Sequence, residues 1–357
     1  MKLSKTLAPV IAGTLFVGAA QAQVNLTITG STAFRSITFD RAASLYDAGS
    51  ISTNGNTGNG PGTFSGTMSN AIPSLGSTPV VLRMSFSGSA TGMAAVDNGT
   101  PVPTVQPGTG VTTNLAPDIA LSDVYPESAT PTIDGSHFDQ FIVGVIPFLF
   151  VKNTLPNSSL ITATNITREQ AQLLFSASGA MPASYLGGSS AAPVYLTGRD
   201  SGSGTRITTQ MVIGFTGDPT LWVTNGISSA LYSTNEGFAS GGTERSLVAN
   251  YTNVVGYLGV SDARAIASTT SWLAYEGVQF TPAEVQNGNY PLWGYEHFVS
   301  KKTLTSNQQA VRNALVSAIT NQVYQTTSSA YTNSFVDQNN MKVERGADGG
   351  PITSLTF

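Results

Sequence analysis

The residues with the most chemical content lie in four polar turns built from small side chains. They are Gly30-Ser31-Thr32, Ser87-Gly88-Ser89-Ala90-Thr91-Gly92, Ser122-Asp123, and Gly198-Arg199-Asp200-Ser201-Gly202-Ser203-Gly204-Thr205. Three of them lead into segments with helical patterning. A helix start presents unpaired N–H groups and a positive dipole end, and both suit an anion. Glycine lets the backbone approach closely, and Ser or Thr adds a hydroxyl donor. Taken singly, a Gly-Ser-Thr turn reads as a plain helix cap more readily than as a ligand site. Arg199 to Thr205 is more specific, because it places a fixed cation just before a glycine-rich helix start. That combination describes a phosphate-type pocket.

Enzymatic readings find less support. The two histidines, His137 and His297, fall in no metal or triad pattern. Gly-Lys-Ser/Thr is absent, so no P-loop is present. Gly58-Asn59-Gly60-Pro61-Gly62 has no helix pattern behind it. Asp123 has no second acid or base placed beside it by sequence. Cysteine is absent, which removes disulfides, thiolate metal sites, thiol catalysis and any lipid on an N-terminal Cys. No catalytic residue, metal site or cofactor is therefore expected.

The elements that must position the turns alternate. Val24, Leu26 and Ile28 predict a strand, with a helix starting at Ser31 or Thr32. Val80 to Phe86 predicts a second strand, with a short helix behind the Ser87–Gly92 turn. Ile119-Ala120-Leu121 is a short buried strand that ends at Ser122-Asp123. Phe141 to Val151 suits a central strand, with a bend at Pro147. Thr167-Arg168-Glu169-Gln170 is a capping box. Val194-Tyr195-Leu196 and Val254 to Val260 are further strands. Thr281-Pro282-Ala283-Glu284 caps another helix, and Ser306 to Gln309 caps the clearest one. Residues 50–70 and 97–115 are low in apolar content and read as loops. The pattern is α/β with mostly parallel sheets.

Composition bounds the partners. Of 357 residues, 16 are Lys or Arg and 20 are Asp or Glu, and no basic excess exists to neutralise a phosphate backbone. A nucleic-acid partner is excluded on that ground. The chain begins with Lys2 and Lys5, an apolar run from Leu7 to Ala20, and Ala20-Gln21-Ala22. This is a secretory signal peptide over 1–22, too short to span a bilayer. Its removal takes the net charge from −4 to −6 by deleting Lys2 and Lys5. The mature protein is expected to be exported, periplasmic or secreted, soluble and without stable membrane insertion.

Taken in order, the turns resemble the periplasmic phosphate-binding component of the ABC phosphate importer, within the type II periplasmic binding proteins. Leu26 to Thr32 resembles that family's opening ligand loop, with Ser31 or Thr32 as the binding residue. Gly88 to Gly92 is similar to its second loop, with Ser89 as donor. Ile119 to Asp123 resembles the strand ending in the phosphate-sensing aspartate. Arg199 to Thr205 resembles the most specific motif and carries over Arg199, Ser203, Gly204 and Thr205. In many members an acid lies two residues after the arginine; here Asp200 follows directly and Ser201 takes that position.

The resemblance implies two α/β lobes, one of residues 23–143 and 263–357, the other of 144–262, with the ligand cleft between them. It implies inorganic phosphate as ligand, the importer's membrane permease as partner, a monomer, and no enzymatic activity. An ionised Asp123 only accepts hydrogen bonds, so it would take the proton of HPO4 or H2PO4 and reject sulfate. Three alternatives remain: a binding protein for another oxyanion, a secreted structural or surface protein on the same fold, and a phosphatase on the same scaffold.

Overall fold

A computed structural model describes residues 22–355 apart from 57–59, 177–180, 227–228 and 325–333. The expected signal peptide lies outside the described residues except for Ala22. The chain runs β1 (Val24–Gly30), α1 (Arg35–Ser44), the hairpin β2 (Ser52–Gly55) and β3 (Gly62–Gly66), β4 (Val80–Met84), α2 (Ser89–Asn98), the hairpin β5 (Val102–Val105) and β6 (Thr112–Leu115), and β7 (Ile119–Ser122). Next come β8 (Phe138–Asn153), β9 (Asn165–Ile166), α3 (Arg168–Ser176), β10 (Met181–Pro182) and β11 (Pro193–Leu196). They are followed by α4 (Gly204–Ile213), the hairpin β12 (Leu221–Val223) and β13 (Tyr232–Thr234), α5 (Gly241–Asn250), β14 (Val254–Gly259) and α6 (Val260–Ala265). The chain closes with β15 (Thr270–Trp272), β16 (Ala274–Tyr275), α7 (Pro282–Gln286), β17 (Trp293–Lys301), α8 (Ser306–Tyr324), β18 (Val343–Glu344) and β19 (Thr353–Ser354).

The long strand β8 organises the molecule. Over Phe138–Pro147 it pairs with β17, and over Phe148–Lys152 it pairs with β14. The change of partner falls at Pro147, which has no N–H to give to a continuing ladder. Phe148 then donates its N–H to Leu292 O at 2.9 Å. On one side of this switch lie β17, β7, β1, β4, β3 and β2; on the other lie β14, β11, β10 and β15. Residues 270–275 pair with β8 and β9, on the β14 side of the switch.

The sheet is mixed, which corrects the expectation of mostly parallel pairing. In the large sheet the parallel pairs are β1–β4, β1–β7 and β11–β14. At the switch β14, β15 and β17 all pair antiparallel with β8, and β17 pairs antiparallel with β7. Residues 50–70 and 97–115 also depart from the loops expected of them. Each folds as a hairpin, and β3 extends the sheet by pairing with β4. Ser and Thr suit an edge strand with both faces partly wet, so low apolar content hid these strands. The cap of α8 lies one residue earlier than expected. Thr305 Oγ1 accepts from Gln308 N–H, while Gln308 Oε1 accepts from Thr305 N–H. The box at Thr167/Gln170 forms as the sequence predicts, and at Thr281 the hydroxyl caps the Glu284 N–H while the Glu284 carboxylate accepts from Asn289.

One continuous core runs under both strand groups and includes the fully buried Trp293, Tyr257 and Tyr290. Among the described residues, no helix is long and apolar enough to cross a membrane.

Candidate functional site

The topology brings two sets of strand ends together. β1, β4 and β7 run parallel, and Ser122 at the end of β7 pairs with His297 in the middle of β17. β11 and β14 run parallel on the other side, and Gly259 at the end of β14 pairs with Phe148. The carboxyl ends of both sets thus point at the partner switch of β8. Turns at the carboxyl ends of strands in an open sheet are where ligands bind.

Asp123 sits at the centre of these turns and is 2% exposed. Ser31 donates its hydroxyl to Asp123 Oδ1. The same Ser31 oxygen accepts from the Ala33 and Phe34 N–H groups at 3.2 and 3.4 Å, so it also caps the turn into α1. Asp123 N–H donates to Ser89 Oγ at 3.1 Å, leaving the Ser89 proton free to be donated elsewhere. From across the switch, Thr205 Oγ1 donates to Asp123 Oδ2 at 3.4 Å. Ser203 precedes α4, is 1% exposed, and its hydroxyl has no partner among the described residues. A buried hydroxyl without a partner is costly, so a polar ligand at that point would relieve it.

The two sides touch closely. Ala90 N–H donates to Gly202 O at 3.0 Å. A Cβ on Gly204 would lie 2.5 Å from Ser89 Oγ and 2.7 Å from Asp123 Cβ. Gly30 has φ +109°, and a Cβ there would lie 2.0 Å from Leu121 O, so the β1 turn also requires glycine.

Arg199 enters from the loop after β11. Its Nε donates to Phe238 O at 3.0 Å, and its Nη2 donates to Ala239 O at 2.9 Å and to Thr32 Oγ1 at 3.1 Å. The expectation left Ser31 and Thr32 as alternatives. In the structure Ser31 meets Asp123, and Thr32 meets Arg199. Ser31, Ser89, Asp123, Ser203, Gly204 and Thr205 come together directly, while Arg199 joins through Thr32. The site thus offers helix N-termini from α1, α2 and α4, several hydroxyls, one guanidinium and one carboxylate. It can hold a small anion, including one that still carries a proton.

Several contributors were not legible as site residues. Tyr257 OH accepts the Arg199 N–H at 3.1 Å and fills the space beside Gly198. Arg206 is buried and ties α4 to the loop behind Arg199, donating to Asn235 O at 2.9 Å. It also lies 3.4 Å from Asp218 and 3.8 Å from Glu236. Glu244 accepts the Tyr257 N–H at 3.0 Å, and burial pushes its carboxyl well above the usual range. Glu296 is buried on β17 beside Asp123. A charged residue within the apolar run Trp293 to Val299 was a usable signal for Glu296 (the other three had none). Among the described residues, no group of three or more His, Cys, Asp or Glu side chains could hold a metal ion.

No protein-family model matches the chain, and no curated protein matches it in sequence. Solved structures match it in fold. A protein from Clostridium perfringens, described as a phosphate ABC transporter substrate-binding protein with bound phosphate, aligns with a TM-score of 0.55. It is 16% identical, and the alignment covers 87% of this chain and 98% of that one. An ABC-type phosphate transport receptor from Vibrio cholerae aligns with a TM-score of 0.52 at 15% identity, covering 87% and 99%. The chain has the mixed α/β, two-lobed fold of periplasmic binding proteins. These two neighbours are binding and transport proteins by description.

Proposed function

We propose that this protein is an exported solute-binding protein that captures inorganic phosphate between its lobes for uptake by an ABC importer. The observation that carries the reading is the buried Asp123, surrounded by Ser31, Ser89, Ser203 and Thr205 at converging helix starts. Arg199 lies one hydroxyl away. Arg199 would supply charge-assisted hydrogen bonds to the oxyanion. Ser89 and Ser203, with the backbone N–H groups of α2 and α4, would donate the rest. Asp123 would accept the proton that HPO4 or H2PO4 still carries. Sulfate at neutral pH has none, and two facing acceptors in a buried site cost on the order of several kcal/mol. Phosphate is therefore favoured over tetrahedral anions that are fully deprotonated at neutral pH. The neighbours' descriptions, with bound phosphate in one of them, support the same ligand.

The Lys2-to-Ala22 pattern supports export, and the neighbours' descriptions as transport proteins support a permease partner. For the lobes, the switch of β8 and the pairing of β15 and β16 favour a division at about 147 and 292, later in the chain than the return at 263 that the sequence suggested. The test is a phosphate assay on the purified protein after denaturation, with calorimetry against phosphate and sulfate. Tight phosphate binding with sulfate at least about a hundredfold weaker is expected. Equal affinities would overturn the reading.

A further inference from the structure

Glu296 is not explained by packing. It is 0% exposed within a strand whose neighbours are apolar or aromatic. His297 pairs with Ser122, so the next position along the antiparallel ladder sets Glu296 across from Asp123 and on its face. Two residues earlier on that face, a Cβ on Gly294 would meet Asp123 O at 2.8 Å and the Thr208 side chain of α4. Neither carboxyl oxygen of Glu296 has a donor among the described residues, and the charged group it meets is Asp123. Two ionised carboxylates side by side in a dry site, with no donor between them, are strongly disfavoured. One proton on Glu296 turns the pair into a hydrogen bond.

The remaining charged groups do not change this. Asp348 on the C-terminal segment acts on Asp123 with the same sign. Arg199 is engaged with Thr32 and two carbonyls. His297 faces the opposite side of β17, its ring tilted 56° against the Tyr125 ring at 4.2 Å between centroids, and burial holds its imidazole down at about 4 and thus neutral.

We propose that Glu296 sets the specificity of the cleft: it stands protonated, donates to Asp123, and keeps Asp123 an ionised acceptor aimed at the ligand's own proton. The proposal rests on the oxyanion-binding reading above. Burial first, and the Asp123 charge second, push the Glu296 carboxyl well above the ordinary range. With Ser31 and Thr205 also donating, Asp123 holds its charge inside the protein. A carboxylate has about four lone-pair positions, so one remains for a ligand O–H. Without the Glu296 donor, the Asp123 carboxylate would lose one of the hydrogen bonds that hold it as an acceptor. A protonated Asp123 is itself a donor, and it would accept a fully deprotonated anion.

Glu296 is thus a positioning residue, and two readouts test it. E296Q keeps shape and donor; E296L removes the donor. Calorimetry at pH 7 should give E296Q a phosphate-over-sulfate ratio within about threefold of wild type, and E296L a ratio lowered about tenfold or more. Infrared spectroscopy of the ligand-free protein should show a protonated-carboxyl band that E296Q lacks. An unchanged ratio in E296L, or no band lost in E296Q, overturns the proposal. If E296L does not fold, the infrared comparison decides alone. If wild type binds neither anion, the oxyanion-binding reading falls, while the infrared result still reports the protonation of Glu296.

Discussion

Replacing Gly204 with Ala probes whether anion binding requires the lobes to close on each other. Gly204 is the first residue of α4, and its absent Cβ would lie 2.5 Å from Ser89 Oγ, 2.7 Å from Asp123 Cβ and 2.9 Å from Ser89 Cβ. The two Cβ neighbours are rooted in backbone at the start of α2 and the end of β7, and they cannot swing aside. The added methyl group must push the start of α4 away from the opposite lobe. Overpacking of this kind costs about 1–3 kcal/mol. Alanine is the better helix former by up to about 1 kcal/mol, but that gain belongs to α4 itself and is the same open or closed. The penalty therefore falls on the closed arrangement and emerges in binding. At 1.4 kcal/mol per factor of ten, phosphate affinity should drop about 5- to 150-fold. Calorimetry measures the affinity, and thermal melting of the ligand-free protein should be nearly unchanged. Wild-type affinity together with a melting point several degrees lower would refute the reasoning, because Gly204 would then lie in a permanent core contact.

D123N removes the acceptor that reads the ligand's proton and supplies an amide donor in its place. Its phosphate-over-sulfate ratio should fall by about a hundredfold, with sulfate affinity rising; competition calorimetry measures both. Y257F removes the acceptor of the buried Arg199 N–H. Stability should fall by about 1–3 kcal/mol in urea denaturation, and phosphate should bind more weakly because Arg199 loses its anchor. Asp348 provides a pH test, since burial pushes its carboxyl up to about 6. Between about pH 4 and 6 the folded state holds this proton and the unfolded state has released it, so the group's contribution to stability falls as pH rises, by roughly 2–3 kcal/mol. His297, held down at about 4, contributes with the opposite sign over an overlapping range, while the raised carboxyls of Glu244 and Glu296 add to the Asp348 trend, so the test compares D348N with wild type rather than reading the wild-type profile alone. D348N should therefore gain about 2–3 kcal/mol relative to wild type on going from pH 4 to pH 7. An equal effect of the substitution at both pH values in urea titrations would show that Asp348 is not raised.

Local patterns in the chain were informative where a short segment decides its own structure. Ser31, Ser89 and Ser203 sit at turns whose glycines and hydroxyls announce helix starts. The capping box at Thr167 and the helix cap at Thr281 formed where the spacing placed them. Arg199 ahead of Ser203-Gly204-Thr205 marked the most specific turn, and β7 ended at Ser122, just before Asp123, as its apolar run implied. The hairpins at 52–66 and 102–115 were hidden because edge strands need no alternating apolar face. The antiparallel crossings were hidden because strand direction depends on which distant partner is met.

The sequence by itself determined the chemistry of each turn: a hydroxyl, a carboxylate or a guanidinium held at a strand end. Composition and turn geometry act over a few residues, and that reach is enough. Only the tertiary structure decided how the turns divide the work. It set Ser31 on Asp123 and Thr32 on Arg199, brought Gly204 against Ser89, and aimed both sets of strand ends at Pro147. It also set Glu296 across from Asp123, 173 positions earlier in the chain. Such a meeting depends on the register of β7 against β17, and register is set by the packing of the whole sheet.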